Sequence, residues 1–125
     1  MKPLRGVDRL IGIYDADGGL LGEVRYALGK VFANGHCSLC DLTHRGLKRR
    51  AEWDTMVERL GVPFALLHRN EMDDALRLVT RSALPCLLAD RDAQLEVLLG
   101  PDDLAACGTD LEELERRIRA ALAGA

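Results

Sequence analysis

The chain has 125 residues, 48% of them hydrophobic and 30% charged, with a net charge of −3. This describes one ordinary globular domain over residues 1–125, large enough to bury a core without disulfide staples. The acidic balance argues against a nucleic-acid partner. No apolar run has the length of a signal peptide or membrane span, so the expectation is a cytoplasmic protein with reduced thiols and no membrane partner.

In chain order, Leu10-Ile11-Gly12-Ile13-Tyr14 reads as a short buried strand. The turn-rich Asp15-Ala16-Asp17-Gly18-Gly19 closes it, and Asp17 is placed to cap the next helix. Leu20, Leu21, Val24, Ala27, Leu28 and Val31 recur every three or four residues, which predicts an amphipathic helix over Leu20–Phe32. Asn34-Gly35 ends it, since both accept a left-handed C-cap.

The run His36-Cys37-Ser38-Leu39-Cys40-Asp41-Leu42-Thr43-His44 follows at once and holds half the cysteines and two of the three histidines. A second helix is expected from near Thr43, with Trp53, Met56, Val57 and Leu60 on one face and Gly61 and Pro63 as its stop. The basic cluster Arg45, Lys48, Arg49 and Arg50 reads as that helix's solvated face, with a phosphate-facing patch as the alternative.

Val62–Leu67 is a continuous apolar run, as in a strand buried on both faces. Asn70 is expected to cap a shorter helix carrying Met72, Ala75, Leu76 and Val79. Leu84–Ala89 and Leu95–Leu99 form a hairpin across Asp90-Arg91-Asp92. Leu104 to Cys107 suggests one helical turn. Thr109-Asp110-Leu111-Glu112 reads as a capping box opening a last helix, with Leu111, Leu114, Ile118 and Leu122 inward. Glu112–Arg116, Glu113–Arg117 and Glu115–Arg119 are its expected i,i+4 pairs.

The order β-α-α-β-α-β-β-α predicts an α/β domain, a central mixed four-stranded sheet with helices on both faces. This order resembles a thioredoxin-like fold with its first helical region split in two. Leu84-Pro85-Cys86 before a hairpin is similar to the thioredoxin cis-proline segment, and that resemblance implies a cis bond at Pro85. The opening Tyr14-Asp15-Ala16-Asp17-Gly18-Gly19-Leu20-Leu21 resembles the start of the DCC group of thiol-disulfide oxidoreductases. In that group a Cys-x-x-Cys pair follows the first strand, but here the matching positions are Gly18 and Leu21. The Tyr-Asp-Ala-Asp-Gly start and the His-Cys-x-x-Cys-Asp run also resemble an uncharacterised group of small bacterial proteins. A nucleotide-hydrolysing role finds no support, because Gly22 to Gly29-Lys30 has the wrong interval for a phosphate-binding loop.

The chemistry is therefore expected at Cys37 and Cys40. Read as a soft-metal site for zinc or copper(I), the two thiolates are joined by His44, four residues beyond Cys40 and on its helical face if the helix starts near Cys40. His36, His68, Cys86 or Asp41 is then a completing ligand. Read as a thiol-disulfide oxidoreductase with a redox partner protein, a helix capped near Asp41–Thr43 and a protonated His36 make Cys37 the attacking thiolate and Cys40 the resolving one. The third reading is a non-catalytic interaction module. Against the redox reading stands distance: a helix from Leu20 carries the pair about 20 Å from the sheet edge. Asp15 and His68 close strands at the sheet end where open α/β folds place their sites. Turn duty for Asp15 and a satisfied surface role for His68 are the alternatives. Cys86 and Cys107 read as buried free thiols.

Overall fold

A computed structural model describes residues 4–15, 38–45 and 48–123. The helix expected over Leu20–Phe32, its Asp17 cap, its Asn34-Gly35 stop, and His36 and Cys37 lie outside these residues.

The domain is α/β, with a four-stranded mixed sheet. Strand β1 is Arg9–Ile13, β4 is Phe64–Leu67, β5 is Cys86–Arg91 and β6 is Gln94–Leu99, in the order β4-β1-β5-β6. β1 and β4 run parallel, Leu10 opposite Phe64 and Ile13 opposite Leu67. β1 and β5 are antiparallel, Ile13 opposite Cys86. β5 and β6 form the expected hairpin. Its turn residues Asp92 and Ala93 hold φ of 51° and 65° without a glycine, the left-handed pair a two-residue hairpin needs. The Asp92 N–H donates to Asp8 Oδ2 at 2.8 Å.

The Val62–Leu67 run is not buried on both faces. β4 is an outer strand, and its residues are all half-buried. Continuous apolarity here reflects packing on one side and partial cover on the other.

Helix α1 spans Ser38–Thr43 and α2 spans Ala51–Leu60. Between them β2 (His44–Arg45) and β3 (Lys48–Arg49) pair antiparallel. The second helix therefore starts at Ala51, not near Thr43. Thr43 cannot serve as its cap, because its backbone carbonyl accepts from Arg50 N–H at 2.8 Å and its hydroxyl bonds Tyr14. Arg45, Lys48 and Arg49 are strand residues, so the basic cluster is not a solvated helix face. Arg50 is a tie rather than a surface charge: its Nη1 donates to the Thr109 carbonyl at 2.9 Å.

Helix α3 is Asp74–Thr80, capped by Asp73, whose carboxylate accepts from Leu76 N–H at 2.9 Å. Asn70 instead sits in a 3-10 turn over Arg69–Glu71. Helix α4 is Pro101–Cys107, with proline at its first position, where the missing N–H costs nothing. Helix α5 is Leu111–Ala123. Its cap is Asp110, which accepts from Glu112 and Glu113 N–H groups, so Thr109 is not the capping residue. Arg116 pairs with Glu113 at 2.6 Å rather than with Glu112, while Glu113–Arg117 and Glu115–Arg119 form as expected.

The sheet separates two apolar layers. Leu10, Leu87 and Ala89 face a layer holding Leu39, Leu42, Trp53, Met56, Leu104 and Leu114. Ile11, Ile13, Cys86 and Leu88 face Met72 and Leu76. No helix among the described residues is long and apolar enough to cross a membrane.

Candidate functional site

Helix α1 covers Ser38–Thr43 among the described residues. Cys40 therefore lies inside the helix. Leu39 and Leu42 are fully buried and Cys40 is 6% exposed. Burying each leucine stabilises by roughly 1.5–3 kcal/mol, enough to hold so short a helix against the sheet.

Gly12 makes the approach close. A Cβ at that position would stand 3.2 Å from Leu39 Cδ2, 3.0 Å from Leu66 Cδ2 and 3.3 Å from Leu87 Cδ2. The one glycine in an otherwise bulky strand thus marks where a helix presses in. A hydrogen bond of 2.9 Å between the hydroxyls of Tyr14 and Thr43 ties the end of α1 to the end of β1. Thr43 Oγ1 also donates to the Cys40 carbonyl at 3.4 Å. For Cys40 the expectation of about 20 Å from the sheet edge does not hold. Burial of Leu39 and Leu42 seats α1 on β1 itself.

His44 is the first residue of β2, beyond the end of α1. The helix that holds Cys40 therefore ends one residue before His44. Asp41 and Leu42 lie inside α1 rather than before its start, so no cap forms there. Cys86 is in the other layer from Cys40, 1% exposed, and burial pushes its thiol up to about 11. A sheet stands between the two sulfurs, so Cys86 does not complete a site with Cys40. Cys107, on α4, donates to the Asp103 carbonyl at 3.4 Å, and burial is the main cause that raises its thiol pKa. No group of three or more metal-ligating side chains forms among the described residues.

The end of the parallel pair β1 and β4 gathers polar groups. His68 follows β4, and its Nδ1 lies 2.6 Å from Glu71 Oε1. The same carboxylate oxygen accepts the His68 backbone N–H at 2.7 Å. These two bonds, the backbone one first, hold the Glu71 carboxyl below its ordinary range. An ionised Glu71 accepts a hydrogen bond from Nδ1–H, leaving Nε2 as the imidazole's other polar atom. The His68 ring lies 5.1 Å from that of Tyr14, tilted by 46°. Asp15 pairs with Arg69 at 3.4 Å. The Leu84–Pro85 peptide bond is cis, and Pro85 immediately precedes Cys86, the partner of Ile13. The buried proline thus stands at the same sheet end as Tyr14.

Tyr14, Thr43 and Gly12 are the residues that composition and spacing missed as site-builders. Only Gly12 left a signal, as a small residue inside a bulky strand. A scan of protein-family models, a search of curated proteins and a search of solved structures each find no match to this chain.

Proposed function

We propose that the chain is a thioredoxin-like domain that carries out thiol–disulfide exchange through Cys37 and Cys40. The observation that carries this reading is the seating of α1. This helix, which carries Cys40 three residues after Cys37 in the sequence, rests on β1, at the sheet end that also holds the cis-proline Pro85. The strand order β4-β1-β5-β6 supports the fold assignment. The seating of Cys40 beside β1 lifts the objection of distance for that thiol, while Gly18 and Leu21 still stand where the resembling group has its cysteines.

In the proposed cycle the Cys37 thiolate attacks one sulfur of a substrate disulfide. The S–S bond breaks, a mixed disulfide forms, and the first substrate thiolate leaves and takes a proton. The Cys40 thiolate then attacks Cys37 Sγ. The second substrate thiol departs, leaving a Cys37–Cys40 disulfide and a substrate reduced by two electrons. A dithiol reductant then attacks the Cys37–Cys40 disulfide through its own mixed disulfide, leaves as a disulfide and restores both thiols. Burial of Cys40 suits the resolving role, because that thiol reacts only after a mixed disulfide forms beside it.

One observation keeps a second reading: His36 and His44 flank the pair in sequence. Cys37, Cys40, His44 and His36 would then hold zinc or copper(I). One experiment separates the two. The protein is purified reduced and without oxygen, its metal content is measured by elemental analysis, and its thiols are titrated by alkylation across pH. Exchange chemistry requires no stoichiometric metal, one thiol reacting well below the usual cysteine pKa of about 8.5, and a reversible disulfide. A metal site requires close to one ion per chain, with both thiols protected until a chelator is added. A metal-free protein with two ordinary thiols would defeat both and leave a non-catalytic interaction module.

A further inference from the structure

We propose that the cleft between the 3-10 turn and the end of α3 binds a small molecule bearing a phosphate or carboxylate group. The cavity measures about 350 Å³ and is lined by Arg69, Asn70, Met72, Arg77, Thr80 and Ser82. This volume falls in the range of small-molecule sites. Among the described residues its lining carries two guanidinium groups, one amide, two hydroxyls and a thioether, and no carboxylate. Arg69 is engaged with Asp15 at 3.4 Å. Arg77 is different: among the described residues no acceptor or carboxylate lies within bonding distance of its side chain. A planar fork of donors with no internal partner, opening on a cleft without acidic residues, matches the two oxygens of a carboxylate or phosphate.

The backbone leaves the cleft open to an anion. Two carbonyls of the last turn of α3, which would repel one, already accept protein donors. Arg81 N–H bonds the Arg77 carbonyl at 3.0 Å, and Ala83 N–H bonds the Thr80 carbonyl at 2.9 Å. Thr80 spends its hydroxyl proton on the Arg77 carbonyl and Met72 sulfur, at 3.4 and 3.8 Å. Met72 and Thr80 are buried and form the floor, while Arg77 and Ser82 stand at the exposed rim. The segment after Ser82 runs directly into Pro85, so a ligand here adjoins the sheet end described above. The inference does not rest on the exchange reading, since neither Cys37 nor Cys40 contributes to the cleft.

The test is an NMR titration of the full, isotope-labelled chain at constant ionic strength, with inorganic phosphate in one arm and succinate in the other. Saturable shifts of the Asn70, Arg77 and Ser82 amides are expected in at least one arm, and the tighter arm names the ligand's anionic group. Arg77→Ala should weaken that binding about tenfold, the usual effect of a lost charge-assisted hydrogen bond. Arg77→Lys should retain part of it, and Arg116→Ala, on α5, should leave it unchanged. Arg77 is exposed, so its variants fold, and their amide spectra report this directly. Non-saturating shifts in both arms overturn the proposal. So does an Arg77→Ala midpoint equal to the parent's.

Discussion

The two faces of the sheet are built differently. One is covered by α1, α2, α4 and α5, with Trp53, Met56, Leu104 and Leu114 sealed from solvent. The other, among the described residues, is covered by α3, which contributes Leu76 and leaves Leu78 75% exposed. Each face also holds cysteine. Cys40 sits on α1, three residues after Cys37 in the sequence, while Cys86 sits inside a central strand. Both thiols are buried, so burial by itself does not distinguish them.

Core truncation gives the largest contrast. Leu39→Ala removes a fully buried side chain packed against Gly12, Leu66 and Leu87, and should cost about 2–5 kcal/mol. Leu76→Ala, on the thinner face, should fall at the lower end of that range, because the site lies near solvent and can collapse. Urea denaturation measures both, and equal losses would break the comparison between the faces.

Thiol reactivity sharpens it next. With its thiol held near about 11 by burial, Cys86 in the native protein at pH 8 should alkylate on the order of a hundredfold more slowly than an ordinary cysteine of pKa about 8.5. Mass spectrometry of a time course checks this. A Cys86 that reacts as fast as a surface thiol would mean that the α3 layer opens readily.

Tyr14→Phe tests the tie between α1 and β1. It removes one side of a buried hydroxyl pair and should cost roughly 0.5–1.5 kcal/mol. If α1 is held by that tie, the variant should also expose Cys40 to alkylation faster than the parent, while Cys86 stays unchanged. An unaltered Cys40 rate would assign the seating of α1 to Leu39 and Leu42 alone.

The smallest effect is electrostatic. Glu115 is 4% exposed, and its carboxylate accepts from Arg59 at 2.6 Å and Arg119 at 3.0 Å, linking α5 to α2. The hydrogen bond from Arg59 is the main cause holding its carboxyl below the ordinary value. A depressed carboxyl adds stability above its unfolded pKa of about 4.3, and that contribution is lost as pH falls through the folded value. Arg59 is 40% exposed, so solvent screening limits the loss to about 1 kcal/mol. Melting curves between pH 6 and pH 3 should fall less steeply for Glu115→Gln than for the parent.

Much of this was legible in the sequence. The strands at Leu10–Tyr14, Leu84–Ala89 and Leu95–Leu99 were visible as short apolar runs, and the last helix was visible from its period. Those features depend on local pattern, which a single stretch of chain carries by itself. Caps were read less well, because Asp110 and Asp73 compete with near neighbours for the same N–H groups, and only final geometry selects one. Charge pairs on α5 followed the same rule, with Arg116 choosing Glu113 over Glu112.

By itself, the sequence determined the apolar periodicity, the hairpin and the presence of a Cys-x-x-Cys run flanked by histidines. The tertiary structure decided where Cys40 stands. Spacing along the chain says nothing about a return path, and the seating of α1 depends on Gly12 in one strand admitting Leu39 from a helix 27 positions later. It also decided that Cys40 and Cys86 lie on opposite faces and that His44 leaves the helix that holds Cys40. Residue identity supplies the chemistry, but a site forms only where distant segments compete successfully for the same buried volume.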